Sequence, residues 1–554
     1  MKLSKLNKAW WFSAVALFAS LNNVNAQNSP AEIHGSFQAD GQYYLKDSTI
    51  GAYEVPEKFL MNAYGDLVFT KGNFKAGIRY EAYQNVLLGY DPRYKGNGIV
   101  NRFASYTVDD KLEVTLGNFY EQFGSGLILR GYWEPTLGFD NAFDGIKLKY
   151  NPYKGIYLKG LVGKQRYFFE TGPGLVRGFD GEVSLNELAA KLTESKTRVN
   201  IGGSFVSKYQ QDEDPALVLP ENVASWAGRL DVTRGKITVN GEYVYKYNDP
   251  SSINKNSYKY GEAMLIKSSY SQKGLGVLLA AKRIDNMNFR SDRNANLNAL
   301  LINYLPALSK YHTYSLATIY PYSTQPNGEI GFEAEVNYTA KKGSTVGGKY
   351  GTNFIVNYSS ANALDTTGLV ADANGVLPKD RYKASYDNAG EALYKDLSVE
   401  INKRLTDKVK VTVLYANQMY NKSILEEEGI DGVPTVYDNL GVIEVAYKLN
   451  KKYALRGELQ ALLTKQDMGD WASALLELTA SPNWFVAVGD QYNFGNDDSE
   501  KRVHYFNVNA GYTHNASRFA IGFGKQRQGL FCVGGVCRQV PASYGLSLSV
   551  TTSF

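Results

Sequence analysis

Apolar and polar positions alternate residue by residue along much of this chain, most cleanly at its end. The large residues Tyr544, Leu546, Leu548 and Val550, then Thr552 and Phe554, interleave with Ser543, Gly545, Ser547, Ser549, Thr551 and Ser553. A period of two puts alternate side chains on opposite faces of a strand. The pattern recurs internally. Phe74, Ala76, Ile78, Tyr80 and Ala82 alternate with Lys75, Gly77, Arg79 and Glu81. Leu112, Val114 and Leu116 alternate with Glu113, Thr115 and Gly117, and Ile146, Leu148 and Tyr150 with Lys147 and Lys149. Leu397, Val399 and Ile401 alternate with Ser398, Glu400 and Asn402. Each such run predicts a strand with one apolar and one polar face.

Periodicity alone does not separate a soluble sandwich from a membrane barrel, whose apolar face meets lipid while its polar face lines the lumen. The connections do. Short hairpin chemistries recur at Lys71-Gly72-Asn73, Asp109-Asp110-Lys111, Thr233-Arg234-Gly235-Lys236, Lys341-Lys342-Gly343, Thr406-Asp407-Lys408, Ser481-Pro482-Asn483 and Thr513 to Ser517. Between them lie long segments: Gln122 to Asn141, Arg283 to Asn327, Ser359 to Lys395 and Tyr420 to Asp438. Short turns at one end and long loops at the other predict an all-β fold, a transmembrane antiparallel β-barrel. Its turns are periplasmic and its loops extracellular. Threading the segments gives roughly 24 strands, with 22–26 as the range, of about 9–11 residues each. The first runs from about Ile33 to Tyr44 and the last from Ala542 to Phe554. A terminal strand ending on an aromatic residue resembles the closing strand of bacterial outer-membrane barrels. On that resemblance Tyr544, Leu546, Leu548, Val550 and Phe554 are candidates for an insertion signal.

The amino terminus reads as a secretory signal. Lys2, Lys5 and Lys8 precede the apolar run Ala9 to Leu21, and Val24-Asn25-Ala26 suits cleavage. The apolar run is too short to cross about 30 Å of hydrocarbon, and no Cys follows the cleavage site to carry a lipid. The expected division is residues 1–26 as signal peptide and 27–554 as a single barrel domain in the cell outer membrane. Composition agrees: 554 residues include 42 Tyr and 53 Gly, and aromatic residues favour the membrane–water interface. Membrane lipids and lipopolysaccharide are then the expected surroundings. A net charge of +5 is too small for a nucleic-acid surface. No linker or compositional break divides the chain.

A barrel this wide needs something to fill it. The few residues between Gln27 and the first strand leave no room for an N-terminal plug, which argues against a plugged, TonB-dependent transporter. The segment Gln122 to Asn141 is unusually apolar for a surface loop. Phe123, Leu127, Ile128, Leu129, Trp133 and Phe139 call for burial, and Gly124 and Gly126 permit a tight turn. Asn296 to Tyr322 is similar, with Leu297, Leu300, Leu301, Ile302, Tyr304, Leu305 and Tyr320. Left bare, such patches are costly, so these loops either fold inward as a plug or dock a partner.

The signal peptide, the terminal Phe554, and the stretch Phe123-Gly124-Ser125-Gly126-Leu127-Ile128-Leu129-Arg130 leading to Leu137-Gly138-Phe139-Asp140-Asn141 resemble a family of largely uncharacterised outer-membrane β-barrel proteins of the Bacteroidota. The resemblance covers the whole mature chain. It implies location and fold, and a role as an accessory barrel beside outer-membrane assembly machinery and surface lipoproteins. It carries over no functional residues.

Candidate chemistry is sparse. The only cysteines, Cys532 and Cys537, flank Val-Gly-Gly-Val, and Gly534-Gly535 can turn the chain back on itself. In an exported protein this spacing reads as a disulfide; two thiols are too few for structural zinc. His34, His312, His504 and His514 are scattered and read as solvated or aromatic-girdle residues. Gly172-Pro173-Gly174 follows no buried parallel strand and cradles no phosphate. Asp212-Glu213-Asp214 and Glu426-Glu427-Glu428 read as solvated charge rather than calcium loops. No nucleophile and base constellation is present, so no enzyme, metal or cofactor is expected. Two function classes remain: an accessory or structural subunit of an outer-membrane complex, and a passive or substrate-specific channel. The inward positions mix both signs, with Lys75, Arg79, Glu81, Lys147, Lys149 and Glu400. That mixture favours a packed lumen and the first class.

Overall fold

Strands that bury one face and hydrogen-bond on both edges have a simple way to lose those edges, which is to close. In the computed structural model, which describes residues 30–214, 217–369, 379–426 and 434–554, the alternating segments form one antiparallel sheet of 24 strands. The signal-peptide residues 1–26 and the acidic residues Glu427 and Glu428 lie outside the described residues. The first strand, Glu32–Leu45, pairs on one side with Phe59–Lys71 and on the other with the last, Ser543–Ser553. The seam runs in register from Ser36 opposite Ser553 to Leu45 opposite Tyr544. Phe554 extends it by exchanging two 2.9 Å backbone hydrogen bonds with Gly35.

The alternation sorts as a barrel wall requires. Ile78, Tyr80, Ile146, Leu148, Trp226 and Leu476 are exposed on the outer surface, whereas Arg79, Glu81 and Lys147, their neighbours in sequence, are buried inside. An outward apolar face of this kind suits lipid.

Residues 30 and 554 and most of the tight connections, such as 72–73, 109–111, 235–236 and 515–516, gather at one end; most of the long loops emerge at the other. Two expectations about connections fail. The turn at Lys341-Lys342-Gly343 is the start of a longer connection, 341–351, in which Ser344 caps the carbonyl of Lys341 and the amide of Gly347. Ser359 to Lys395 is largely strand: Thr352–Gly368 and Tyr382–Arg404 continue as a hairpin, still paired at Thr366 opposite Ala384. Polar residues such as Asp365, Thr366, Asn388 and Glu391 occupy both faces there. The backbone ladder and polar contacts, such as Tyr382 to Asp285 at 2.6 Å and the Arg283 guanidinium over the Tyr386 ring, hold that extension, so no apolar period announces it.

Three loops from the long-loop end turn inward instead of outward: 120–142, 286–327 and 527–542. The wall is prepared for them. Near the loop end the inner face is apolar, with Val176, Val206, Val223, Val244, Ala263 and Ile284 on successive strands forming a fully buried belt. Further down the same strands the inward positions become Asp180, Ser204, Arg229 and Glu242. The belt is a socket for the first loop.

Candidate functional site

Phe123, Leu127, Ile128 and Leu129 fill that socket with almost no exposed surface, alongside Met287, Phe289 and Ile302 from the second loop. Removing each such side chain from water contributes about 1.5–3 kcal/mol. Phe139 is buried as well, and Trp133 is half-buried. Gly124 and Gly126 hold φ of +53° and +97°, and a Cβ on Gly124 would lie 2.7 Å from a carboxylate oxygen of Glu242. That close approach lets the amide of Ser125 donate a 2.7 Å hydrogen bond to Glu242.

The loop is also pinned by charge. Arg79 and Arg166 from the wall share Asp140 of the loop and Glu81 of the wall. Arg166 reaches Asp140 and Glu81 at 2.6 Å each, Arg79 reaches Glu81 at 3.0 Å, and Arg79 donates to Asp140. Two cations and two carboxylates balance with almost no exposed surface. The ring of Trp133 lies 3.9 Å from the Arg79 guanidinium, which stabilises a desolvated cation further.

The second loop crosses the lumen. It meets the first through Arg130 N to Ile302 O at 2.8 Å and Tyr304 N to Gly126 O at 2.9 Å. Its far part, Leu316, Ala317, Ile319, Tyr320 and Tyr322, packs on the opposite wall against Leu393, Leu414, Tyr420, Leu440, Leu462 and Trp471. Arg290 donates to the carbonyls of Asn296, Leu297 and Ala299, which fixes a bend that leaves Leu297 78% exposed. Burial without a carboxylate partner in contact pushes the Arg290 guanidinium down to about 10.

The third loop is the cysteine hairpin. Gly529–Val533 pairs with Val536–Val540, Cys532 is bonded to Cys537, and Gly534 and Gly535 turn at φ +59° and +85°. Two consecutive positive φ values are what a two-residue hairpin turn requires. The hairpin lies on the plug: Asn298 Nδ2 donates to Cys537 O at 2.7 Å, and Arg538 Nε to Thr136 O at 3.0 Å.

Cavities flank this hairpin. One, of about 480 Å³, lies between it and Tyr90, Arg93, Tyr94, Phe139 and Phe168. Another, of about 420 Å³, lies between it and Lys310, His312, Tyr320, Tyr322 and Tyr505. A third, of about 360 Å³, is lined by Glu444, Arg456, Glu458 and Asp490, and shares Ser315, Gln491 and Asn507 with the second. His312 corrects the solvated reading: it is 8% exposed, with Nε2 2.8 Å from Asp396. The plug brings it in, since its loop contacts the wall only after folding. Arg527 lines the cavity of about 420 Å³ and Arg538 that of about 480 Å³, and neither is a candidate on sequence grounds. Nothing in their sequence neighbourhood distinguishes them from surface arginines. Burial lowers both guanidinium groups from their ordinary range.

A family model described as a family of unknown function, DUF6029, matches residues 6–554. The chain belongs to that family. No curated protein matches it in sequence. Solved structures resembling this DUF6029 barrel include the siderophore receptor PirA from Pseudomonas aeruginosa, at 10% identity and TM-score 0.39 over 95% of this chain and 81% of that one. The P pilus usher PapC translocation pore matches at 8% identity and TM-score 0.43 over 95% and 99%. OccAB4 of Acinetobacter baumannii matches at 10% and 0.33 over 84% and 99%. These likenesses concern the barrel fold alone.

Proposed function

We propose that the protein, exported by its signal peptide, resides in the outer membrane of a Bacteroidota cell with its long-loop end facing the cell exterior. There it serves as an accessory, structural subunit of an outer-membrane protein complex, with barrel-assembly machinery and surface lipoproteins as candidate partners. One observation carries this reading: the second loop packs against both walls, so the lumen holds a folded core where an open pore would hold water. Phe123, Gly124, Gly126, Leu127, Ile128, Leu129, Trp133 and Phe139 are then plug residues. Reconstituted alone in a planar bilayer, the intact barrel conducts little, and deletion of residues 124–138 opens a large steady conductance. Native purification through a tag on a long loop recovers partner proteins in fixed stoichiometry. A large conductance from the intact isolated barrel, or its recovery without partners, would overturn the reading.

A substrate-specific channel is the second reading. It is favoured by two cavities whose linings share Ser315, Gln491 and Asn507. A small, ion-selective conductance of the intact barrel, altered by Glu444→Gln or Arg456→Gln, would support it over the first.

A further inference from the structure

The cavity of about 420 Å³ beside the cysteine hairpin is within the size range of small-ligand pockets. Four of its lining residues are basic, Lys310, His312, Lys525 and Arg527, and none is acidic. Three of the four are already matched by carboxylates one layer behind the lining. Lys310 pairs with Glu335, His312 with Asp396 at 2.8 Å, and Lys525 with Asp47 at 2.6 Å. The tyrosine hydroxyls at the wall hold further carboxylates, which have cations of their own: Glu329, bound by Tyr322, pairs with Lys282 at 2.5 Å, and Asp467, bound by Tyr320, with Lys422 at 2.7 Å. Asp438, buried behind Tyr320, does not line the cavity.

Arg527 is left over. Its guanidinium makes only long contacts, 3.4 Å to the carbonyl of Thr318 and 3.5 Å to that of Gln528, and no carboxylate pairs with it among the described residues. Tyr320 and Tyr505 are its neighbours. A guanidinium offers five donors in a fixed planar fork that fits carboxylate or phosphate oxygens two at a time. Rings around it offer flat apolar surface with polar edges. Burial disfavours this cation as it stands, and a bound anion would relieve that.

We propose that this cavity binds a small organic oxyanion, a carboxylate or phosphate on a ring-shaped body, with Arg527 as its anchor and the tyrosine rings as its bed. The inference stands apart from the accessory-subunit reading, because it concerns occupancy of the plug and not the company the barrel keeps. Calorimetric titration of the full mature barrel in detergent tests it with four probes: glucose 6-phosphate, glucuronate, glucose and inorganic phosphate. One or both charged sugars bind, at least about tenfold more tightly than glucose; which of them does so assigns the oxyanion. Arg527→Gln abolishes that preference, and Arg527→Lys, which keeps the charge but not the fork, retains part of it. Tyr311→Ala, at an exposed ring of the rim, weakens the charged sugar but not inorganic phosphate, which keeps the test open should an Arg527 variant fail to fold. Equal binding of glucose and its charged analogues overturns the proposal. So does the absence of binding at about 10 mM, or unchanged affinity in Arg527→Gln.

Discussion

The phenol of Tyr304 donates a 2.5 Å hydrogen bond to the carbonyl of Gly534, which ties the segment crossing the lumen to the turn of the disulfide hairpin. The same tyrosine, through its backbone amide, holds Gly126 of the first loop. One residue therefore touches all three arms of the plug. Tyr304→Phe removes only the hydroxyl and costs about 0.5–1.5 kcal/mol. The expected consequence is local: the hairpin 529–540 becomes more sensitive to protease in intact barrels, while the heat-modifiable gel shift of the barrel stays where it was.

Gly124→Val acts on the plug from the wall side. The left-handed backbone at Gly124 excludes a β-branched residue, and the new Cβ collides with Glu242. The loop must withdraw from its valine socket. Bilayer recordings should show openings in this variant that wild type lacks, with barrel assembly intact.

Asp140→Asn leaves Arg79 and Arg166 with Glu81 alone, one carboxylate for two buried cations. Breaking a buried charge cluster by removing one partner costs about 3–5 kcal/mol. The variant barrel should lose its heat resistance at a clearly lower temperature in gel-shift assays, far more so than Asp91→Asn, whose ion pair with Arg93 is more exposed.

Deleting Phe554 removes the two hydrogen bonds to Gly35, together with a ring that lies where a side chain of Gly35 would be. The seam shortens by one pair at the end where the candidate insertion signal sits. The amount of protein in outer-membrane fractions should fall, with Phe554→Tyr close to wild type; undiminished levels of the truncated chain would discount the signal reading of Tyr544, Leu546, Leu548, Val550 and Phe554.

Cys532 and Cys537 should be recovered as a disulfide. Alkylation of freshly isolated, unreduced protein should add nothing to its intact mass, and alkylation after reduction should add two groups. Because the hairpin is one of three plug arms and leaves the wall untouched, Cys532→Ser with Cys537→Ser should still give a heat-modifiable barrel.

The alternation of Ile78 and Tyr80 with Arg79 and Glu81 determined, from sequence alone, that this segment is a wall strand and which side chains share a face. Period two is a local property of the backbone, and turn residues such as Gly534-Gly535 carry their φ requirement with them. The count of strands and the apolar character of 120–142 were legible for the same reason. The hairpin beyond Ser359 was not, since a ladder with polar residues on both faces has no hydrophobic period. Nor was the valine belt, because Val176, Val206, Val223 and Val244 are single residues on separate strands and become a surface only when the register sets them side by side. Which wall residues the inward loops pack against belonged wholly to the tertiary structure. Asp140 meets Arg79 and Arg166 across 61 and 26 residues of sequence, and among the described residues Arg527 has no carboxylate partner because Glu335, Asp396 and Asp47 pair with the other basic groups of its cavity. Pairings of that kind are decided by closure of the barrel, which brings together residues that no local pattern relates.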